Sequence, residues 1–279
     1  MRRLLLAAVL AAVASPGLTP TASAQTPAAC TPRVANSELV KAGTLVMSIN
    51  PTLPPLQFVN AQGQLQGLRF DLGMELARRL CLTPEWVRIE FSAMIPGLAA
   101  RRWDMINSGT FFTPARAEIM QMLRYENAAV AFSAARGNPL GIRTVDDLAG
   151  RTVGVEIGGF EEGRTRALSA DLVARGKPAI NIRTFDNFAV AFQALRVGQV
   201  EAVTSVDAVA AEYDQRGDFP RVLHGLFPTP ASLAMRSRVL ALEVAKVLGE
   251  MKADGSYDRL FDRYGVSKYE AGFEVVGPQ

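Results

Sequence analysis

From residue 44 onward, short continuous apolar runs alternate with longer stretches whose apolar positions recur every three or four residues. The run TLVMSI (44–49) reads as a buried strand. FDLGMELARRL (70–80) places Leu72, Leu76 and Leu80 on one helical face. WVRIEF (86–91) predicts a strand, AMIPGLAARR (93–102) a helix and WDMIN (103–107) another strand. That strand is expected to break at Ser108-Gly109-Thr110. A helix should then open at Thr113-Pro114, since threonine caps a helix start and proline suits its first position. The pattern restarts with a strand over 152–155, a glycine turn and a helix over 160–174. Near the C-terminus ASLAMR reads as a strand, and VLALEVAKVLGEMKA and SYDRLFDRY as helices.

This alternation predicts an α/β fold with mostly parallel sheets flanked by helices. FSAMIPGLAARRWDMINSG (91–109) is echoed by FAVAFQALRVGQVEAVTS (188–205), which points to two similar lobes, each with its own sheet. Turn-forming residues cluster at 133–144 and 227–235. If the final strand and helices return to the first half, residues 25–134 and 232–279 make lobe 1 and 135–231 make lobe 2. The chain then crosses between lobes twice, as a two-strand hinge. Ligands of open α/β sheets bind beyond the carboxyl ends of strands, so two facing sheets would close a cleft around a small molecule.

The first residues change the compartment. Arg2 and Arg3 precede an apolar run over 4–14, a Pro-Gly break and Ala22-Ser23-Ala24, which together predict a signal peptide (1–24) cleaved after Ala24. The run is too short to cross ~30 Å of hydrocarbon. About 255 residues remain, with a charge near +1 once Arg2 and Arg3 leave the formal +3. No basic stretch interleaves with aromatics, so no nucleic-acid partner is expected. Cys30 and Cys81 are the two cysteines. In an oxidising compartment an even pair favours a disulfide, with two free thiols as the alternative. A lone His224, in the Gly/Pro-bounded RVLHGLFPTP, excludes histidine-rich zinc sites and reads as a surface or loop residue. No Walker lysine or dinucleotide glycine pattern occurs, so no cofactor or metal is expected.

Arg116 falls in the first turn of the helix opened by Thr113-Pro114, at the pole carrying roughly +0.5 of an elementary charge. It is either a solvated surface charge or is positioned for an anion. Five segments bear on that choice: NPTLPPLQFVNAQGQLQGLRFDLGMELARRL (50–80), MIPGLAARRWDMINSGTFFTPAR (94–116), DDLAGRTVGVEIGG (146–159), ALRVGQVEAV (194–203) and EMKADGSYDRLFDRYG (250–265). In this order and spacing the chain resembles the periplasmic solute-binding proteins of polar-amino-acid ABC importers, bacterial extracellular solute-binding protein family 3. The resemblance runs from about residue 43 to 264 and implies the two-lobed fold with a hinge.

It also implies that Arg116 makes a bidentate salt bridge to a ligand carboxylate, using the planar fork that lysine lacks. Ser108, Gly109, Thr110 and Phe111 would form the adjoining loop, its N–H groups and the helix start at Thr113 adding donors. Other positions depart from the family pattern. Phe111 stands where a hydroxyl helps hold the ligand ammonium. Gly158-Gly159-Phe160 replaces a Gly-Ser/Thr turn. Val206 occupies the place of the ammonium-pairing aspartate, with Asp207 one residue later. Asn50 and Leu53 replace an acid and an aromatic used for cationic side chains, which argues against lysine, arginine or histidine as ligand. Phe91 matches an aromatic wall, with core packing as its other reading.

The expected cleft keeps its carboxylate clamp and loses ammonium partners. Asp207, Glu156 or Glu161 must then replace the missing acid, or the ligand is not an ordinary α-amino acid. The implied function is capture of a small carboxylate-bearing solute, an amino acid or close relative, and its delivery to an ABC permease in the inner membrane. The resemblance also implies a monomer in the periplasm. A second reading is an enzyme like the periplasmic cyclohexadienyl (prephenate/arogenate) dehydratases of this fold, with Glu156 or Glu161 as general acid. A third is a binding domain that presents its ligand to a receptor.

Overall fold

The structure, a computed structural model, describes residues 30–279. The expected signal peptide lies outside the described residues. Cys30 and Cys81 are disulfide-bonded, as the even pair favoured.

The first half runs β1 (Thr44–Ile49), β2 (Thr52–Leu53), β3 (Gln57–Val59), β4 (Leu65–Gln66), α1 (Leu68–Leu80), β5 (Thr83–Arg88), α2 (Phe91–Ala99), β6 (Met105–Phe111) and α3 (Pro114–Ala117). A long strand, β7 (Gln121–Ala134), leads into β8 (Thr152–Glu156), α4 (Phe160–Ala174), β9 (Asn181–Phe185), α5 (Phe188–Arg196), β10 (Ala202–Val206) and α6 (Asp207–Gln215). A second long strand, β11 (Arg221–Met235), returns the chain to α7 (Arg238–Ala253), α8 (Ser256–Tyr264) and the short β12 (Val275–Val276).

The expected α/β rhythm is present. The helix over 160–174 and the helix SYDRLFDRY fall where the sequence placed them. α1 starts two residues before the quoted run, so that Leu68, Leu72, Leu76 and Leu80 are all buried. The strand expected at 86–91 is shifted: β5 ends at Arg88 and Phe91 instead opens α2, where it packs with Met94, Leu98 and Trp103.

Two further differences concern the sheet. β6 does not break at Ser108-Gly109-Thr110 but continues to Phe111. Gly109 takes φ +71°, and a side chain there would bring its Cβ to 2.0 Å from the Arg69 guanidinium carbon. Glycine thus lets the strand pass directly over a buried arginine. The other difference is continuity. The two expected sheets are joined among the described residues into one of nine strands, ordered β5-β1-β6-β11-β7-β10-β8-β9, with β12 on β7.

β5, β1 and β6 are parallel, as are β9, β8 and β10, and each triplet meets a long antiparallel strand of the β7/β11 pair. The Pro-rich stretch at 227–230, expected as a boundary, lies inside β11. Proline has no N–H to give, but the Pro230 carbonyl still accepts from Phe112 N. The β7/β11 register shifts four times between Arg221 and Ser232, and Phe227 has φ +50°. These bulges accommodate the prolines and give the paired strands their local bends. His224 is exposed, as expected, but lies on this strand rather than in a loop.

Candidate functional site

The carboxyl ends of β1 and β6 face that of β8. Asn50, just past β1, is buried; its backbone N–H donates to Ser108 Oγ at 3.1 Å, and its Nδ2 donates across to Glu156 Oε1 at 2.7 Å. Phe111, ending β6, stacks on Phe160 at the start of α4, with centroids 4.5 Å apart and planes 13° off parallel. Asn187 Nδ2 donates to Glu90 Oε1 at 3.0 Å, joining the first turns of α5 and α2. Hydrogen bonds and an aromatic pair therefore connect the two strand-end faces.

Arg116 lies within this junction. α3 is a single turn, capped by Thr113 Oγ1 accepting from Arg116 N at 3.2 Å. The guanidinium is half-buried, donating through Nη1 to Phe111 O at 3.0 Å and through Nη2 to Gly158 O at 3.3 Å. It also lies 5.4 Å from the Phe91 ring centroid. No described carboxylate comes within 4.0 Å of it. Burial lowers its proton affinity, opposed by the charge of Glu161. Phe91 packs with Met94, Leu98 and Trp103 in the core and also lies against the Arg116 guanidinium.

Two carboxyls flank the turn between β8 and α4: Glu156 ends β8, and Glu161, in the first turn of α4, is near enough to Arg116 for their charges to interact. Glu156 and Glu161 are each 3% exposed. The turn is tight: Gly158 has φ +75°, and a Cβ at Gly159 would lie 2.9 Å from Glu161 Oε2. Burial is the largest cause raising both carboxyls above the ordinary glutamate value of 4.5, Glu156 well above it. The charges of Glu161 and Glu90 push Glu156 further up, against the Asn50 hydrogen bond. For Glu161 the opposing influences are its own backbone N–H, Arg116 and Arg69.

A carboxyl that holds its proton more tightly when folded stabilises the protein below about pH 4.5, and that contribution fades as pH rises through the raised folded values. Glu156→Gln should therefore change little near pH 4 and stabilise the ligand-free protein near pH 8. Urea midpoints of variant and parent, measured side by side, test this; a difference independent of pH would remove the assignment.

Under the loop lies a polar network that the apolar pattern did not reveal. Arg69 is fully buried and makes a bidentate pair with the buried Glu126, at 3.2 Å from Nε and 3.0 Å from Nη2. Its Nη1 donates to Gln57 Oε1 at 3.0 Å and to Ser108 O at 3.1 Å. Gln57 Nε2 in turn donates to Ser108 Oγ at 3.0 Å. The spacing of Arg69 from Leu72 and Leu76 puts it on the buried side of α1, a signal available in the sequence.

A model of the bacterial extracellular solute-binding proteins, family 3, matches residues 45–267. The chain belongs to that family. It is similar to the lysine/arginine/ornithine-binding periplasmic protein of Escherichia coli K12, with 28% identity over 81% of this chain and 87% of the relative. Among solved structures, an ancestral arginine-binding protein bound to arginine superposes with a TM-score of 0.72 and 29% identity, over 80% of this chain and 98% of the other. An ancestral amino acid-binding protein described as a precursor of cyclohexadienyl dehydratase gives 0.71 and 28%, over 80% and 95%.

In this family-3 protein the expected residues distribute unevenly. Asn50, Ser108, Phe111, Arg116 and Phe160 are connected by the contacts above, and Gly109 passes over Arg69. Thr110 is buried beside them in β6, its hydroxyl without a hydrogen-bond partner among the described residues. Leu53 is buried in the apolar core that also contains Phe111 and Phe160. Asp207 stands elsewhere. It pairs with Arg221 at 3.1 Å and lines a separate cavity of about 330 Å³ with Glu126, Val206 and Ser267. No helix of the described residues is long and apolar enough to cross a membrane.

Proposed function

We propose that this family-3 protein captures a small carboxylate-bearing solute, an amino acid or close relative, and delivers it to an ABC importer. Arg116 is the observation that carries the reading: a half-buried arginine between two strand-end faces, with no carboxylate within 4.0 Å. A guanidinium so placed suits a bidentate carboxylate. Phe91, Phe111 and Phe160 line the same junction, with Asn50, Leu53, Ser108, Gly109, Thr110 and Gly159 around it. Residues 25–134 and 232–279 would form one lobe and 135–231 the other, with β7 and β11 as hinge. The protein would work as a periplasmic monomer, freed of its leader after Ala24, with a permease of the inner membrane as partner.

The relatives support this reading by their names, which describe binding of amino acids. The dehydratase alternative has less support, since the related precursor is itself described as an amino acid-binding protein.

A thermal-shift screen of the refolded protein against amino acids and other carboxylates tests the proposal. A ligand at 100 times its dissociation constant should stabilise the fold by about 2.7 kcal/mol. Binding confined to solutes without a carboxylate would refute it.

A further inference from the structure

The acids around the junction differ in whether a cation already matches them. Glu126 is held by Arg69 and Asp207 by Arg221. Asp207 keeps one buried oxygen without a partner, but its charge is balanced and it lies about a quarter exposed. Glu90 accepts from Asn187. Glu90, Glu156 and Glu161 have no cation within 4.0 Å among the described residues, and of the three only Glu156 and Glu161 are almost fully buried, each 3% exposed. The Glu156 carboxyl is met by Asn50, and that of Glu161 by no hydrogen bond from another described residue.

Ions withdrawn from water without partners are unstable. Here the unmatched groups are of both signs. Arg116 and Glu161 lie close enough to shift each other's proton affinity, yet remain more than 4.0 Å apart. The protein thus holds a positive and a negative group apart across one junction, which is the complement of a molecule carrying both charges. A plain carboxylate would satisfy Arg116 and leave two glutamates unmatched.

We infer that Glu161, with Glu156 beside it, receives a cationic nitrogen of the solute while Arg116 holds its carboxylate. The assignment rests on the carboxylate-capture reading and narrows the solute to a zwitterion. The acid partner is thereby moved from the end of β10, where Val206 stands and Asp207 is already paired, to the turn between β8 and α4. The raised proton affinity of the two carboxyls adds a consequence: an ammonium arriving beside them drives protons off, so affinity increases with pH.

The test uses the full refolded protein and isothermal titration with two matched series, the L-α-amino acids and their α-hydroxy acids. The best amino acid should bind about 100-fold more tightly than its hydroxy acid, because the analogue leaves the acids unmatched. Glu161→Gln should cut that ratio to less than about tenfold by weakening the amino acid alone, and Glu156→Gln should cut it less. A merely structural role would weaken both series together. In two buffers of different ionisation heat near pH 6, the parent should release protons on binding the amino acid, and Glu161→Gln should release fewer.

A hydroxy acid that binds as tightly as its amino acid, or a ratio unchanged in Glu161→Gln, overturns the assignment while the carboxylate reading stands. An amino acid that binds Arg116→Met as well as the parent overturns the carboxylate reading instead. A parent protein that binds neither series overturns both.

Discussion

Replacing Arg116 with methionine is expected to weaken ligand binding by roughly 100- to 1,000-fold, in line with the 2–5 kcal/mol lost when one partner of a buried charge pair is truncated. Arg116→Lys should restore only part of the loss. It keeps the charge, but lacks the fork that meets two carboxylate oxygens and the two N–H groups given to Phe111 O and Gly158 O. The ligand-free protein should respond differently. The guanidinium has no carboxylate within 4.0 Å, so methionine removes an unmatched charge and should leave the melting temperature level or raise it. Titration calorimetry paired with thermal melts separates the two effects. Unchanged affinity in Arg116→Met would exclude the arginine from the binding contact.

The largest loss of stability is expected from Arg69→Met. This change strands Glu126, which is 1% exposed, and should cost about 3–5 kcal/mol. It also takes donors from Gln57 and the Ser108 carbonyl, and so loosens the strand segment that Gly109 carries over the guanidinium. The double variant Arg69→Met/Glu126→Leu should recover most of that loss, since apolar residues of similar volume replace buried ion pairs at little net cost. Urea unfolding of the single and double variants measures the coupling. Simple additivity would mean that the two side chains act independently.

The contrast between Arg116 and Arg69 explains what the sequence disclosed. Arg116 is conspicuous because it stands in a helical first turn that begins at Thr113-Pro114, a purely local anomaly. Arg69 and Glu126 are 57 positions apart, so only the approach of α1 to β7 reveals that they neutralise each other. Glu156 and Glu161 could be named as candidate acids, but their burial depends on the lobes meeting, which no local pattern encodes.

The fold divides similarly. The helix over 256–264 is legible because it has a strongly periodic apolar face, whereas that over 160–174 is marked by the glycine turn before it rather than by a periodic face. Ser108-Gly109-Thr110 predicts a break in β6, and the prolines at 228 and 230 predict a boundary before ASLAMR, because glycine and proline usually end strands. Here Gly109 admits an arginine beneath it, and bulges carry Pro228 and Pro230 within the long strand. The joining of two expected sheets through β7 and β11 is likewise a property of distant pairing rather than of either strand's composition.

The position of β11 also sets an order of assembly. β8, β9 and β10, with α4 and α5 between them, are neighbours both along the chain and in the sheet, so their contacts can form within one continuous stretch. β6 also has a local parallel partner in β1, but it needs a distant one as well. Its antiparallel partner is the far end of β11, where Met105 faces Met235, and α1 waits for α7 and α8 to cover it. Closing so long a loop is entropically costly before its contacts exist, which is expected to slow the pairing of β6 relative to that of β8, β9 and β10. The middle of the chain is therefore expected to complete its contacts first, leaving the opening stretch exposed to wrong pairings until the last residues are in place.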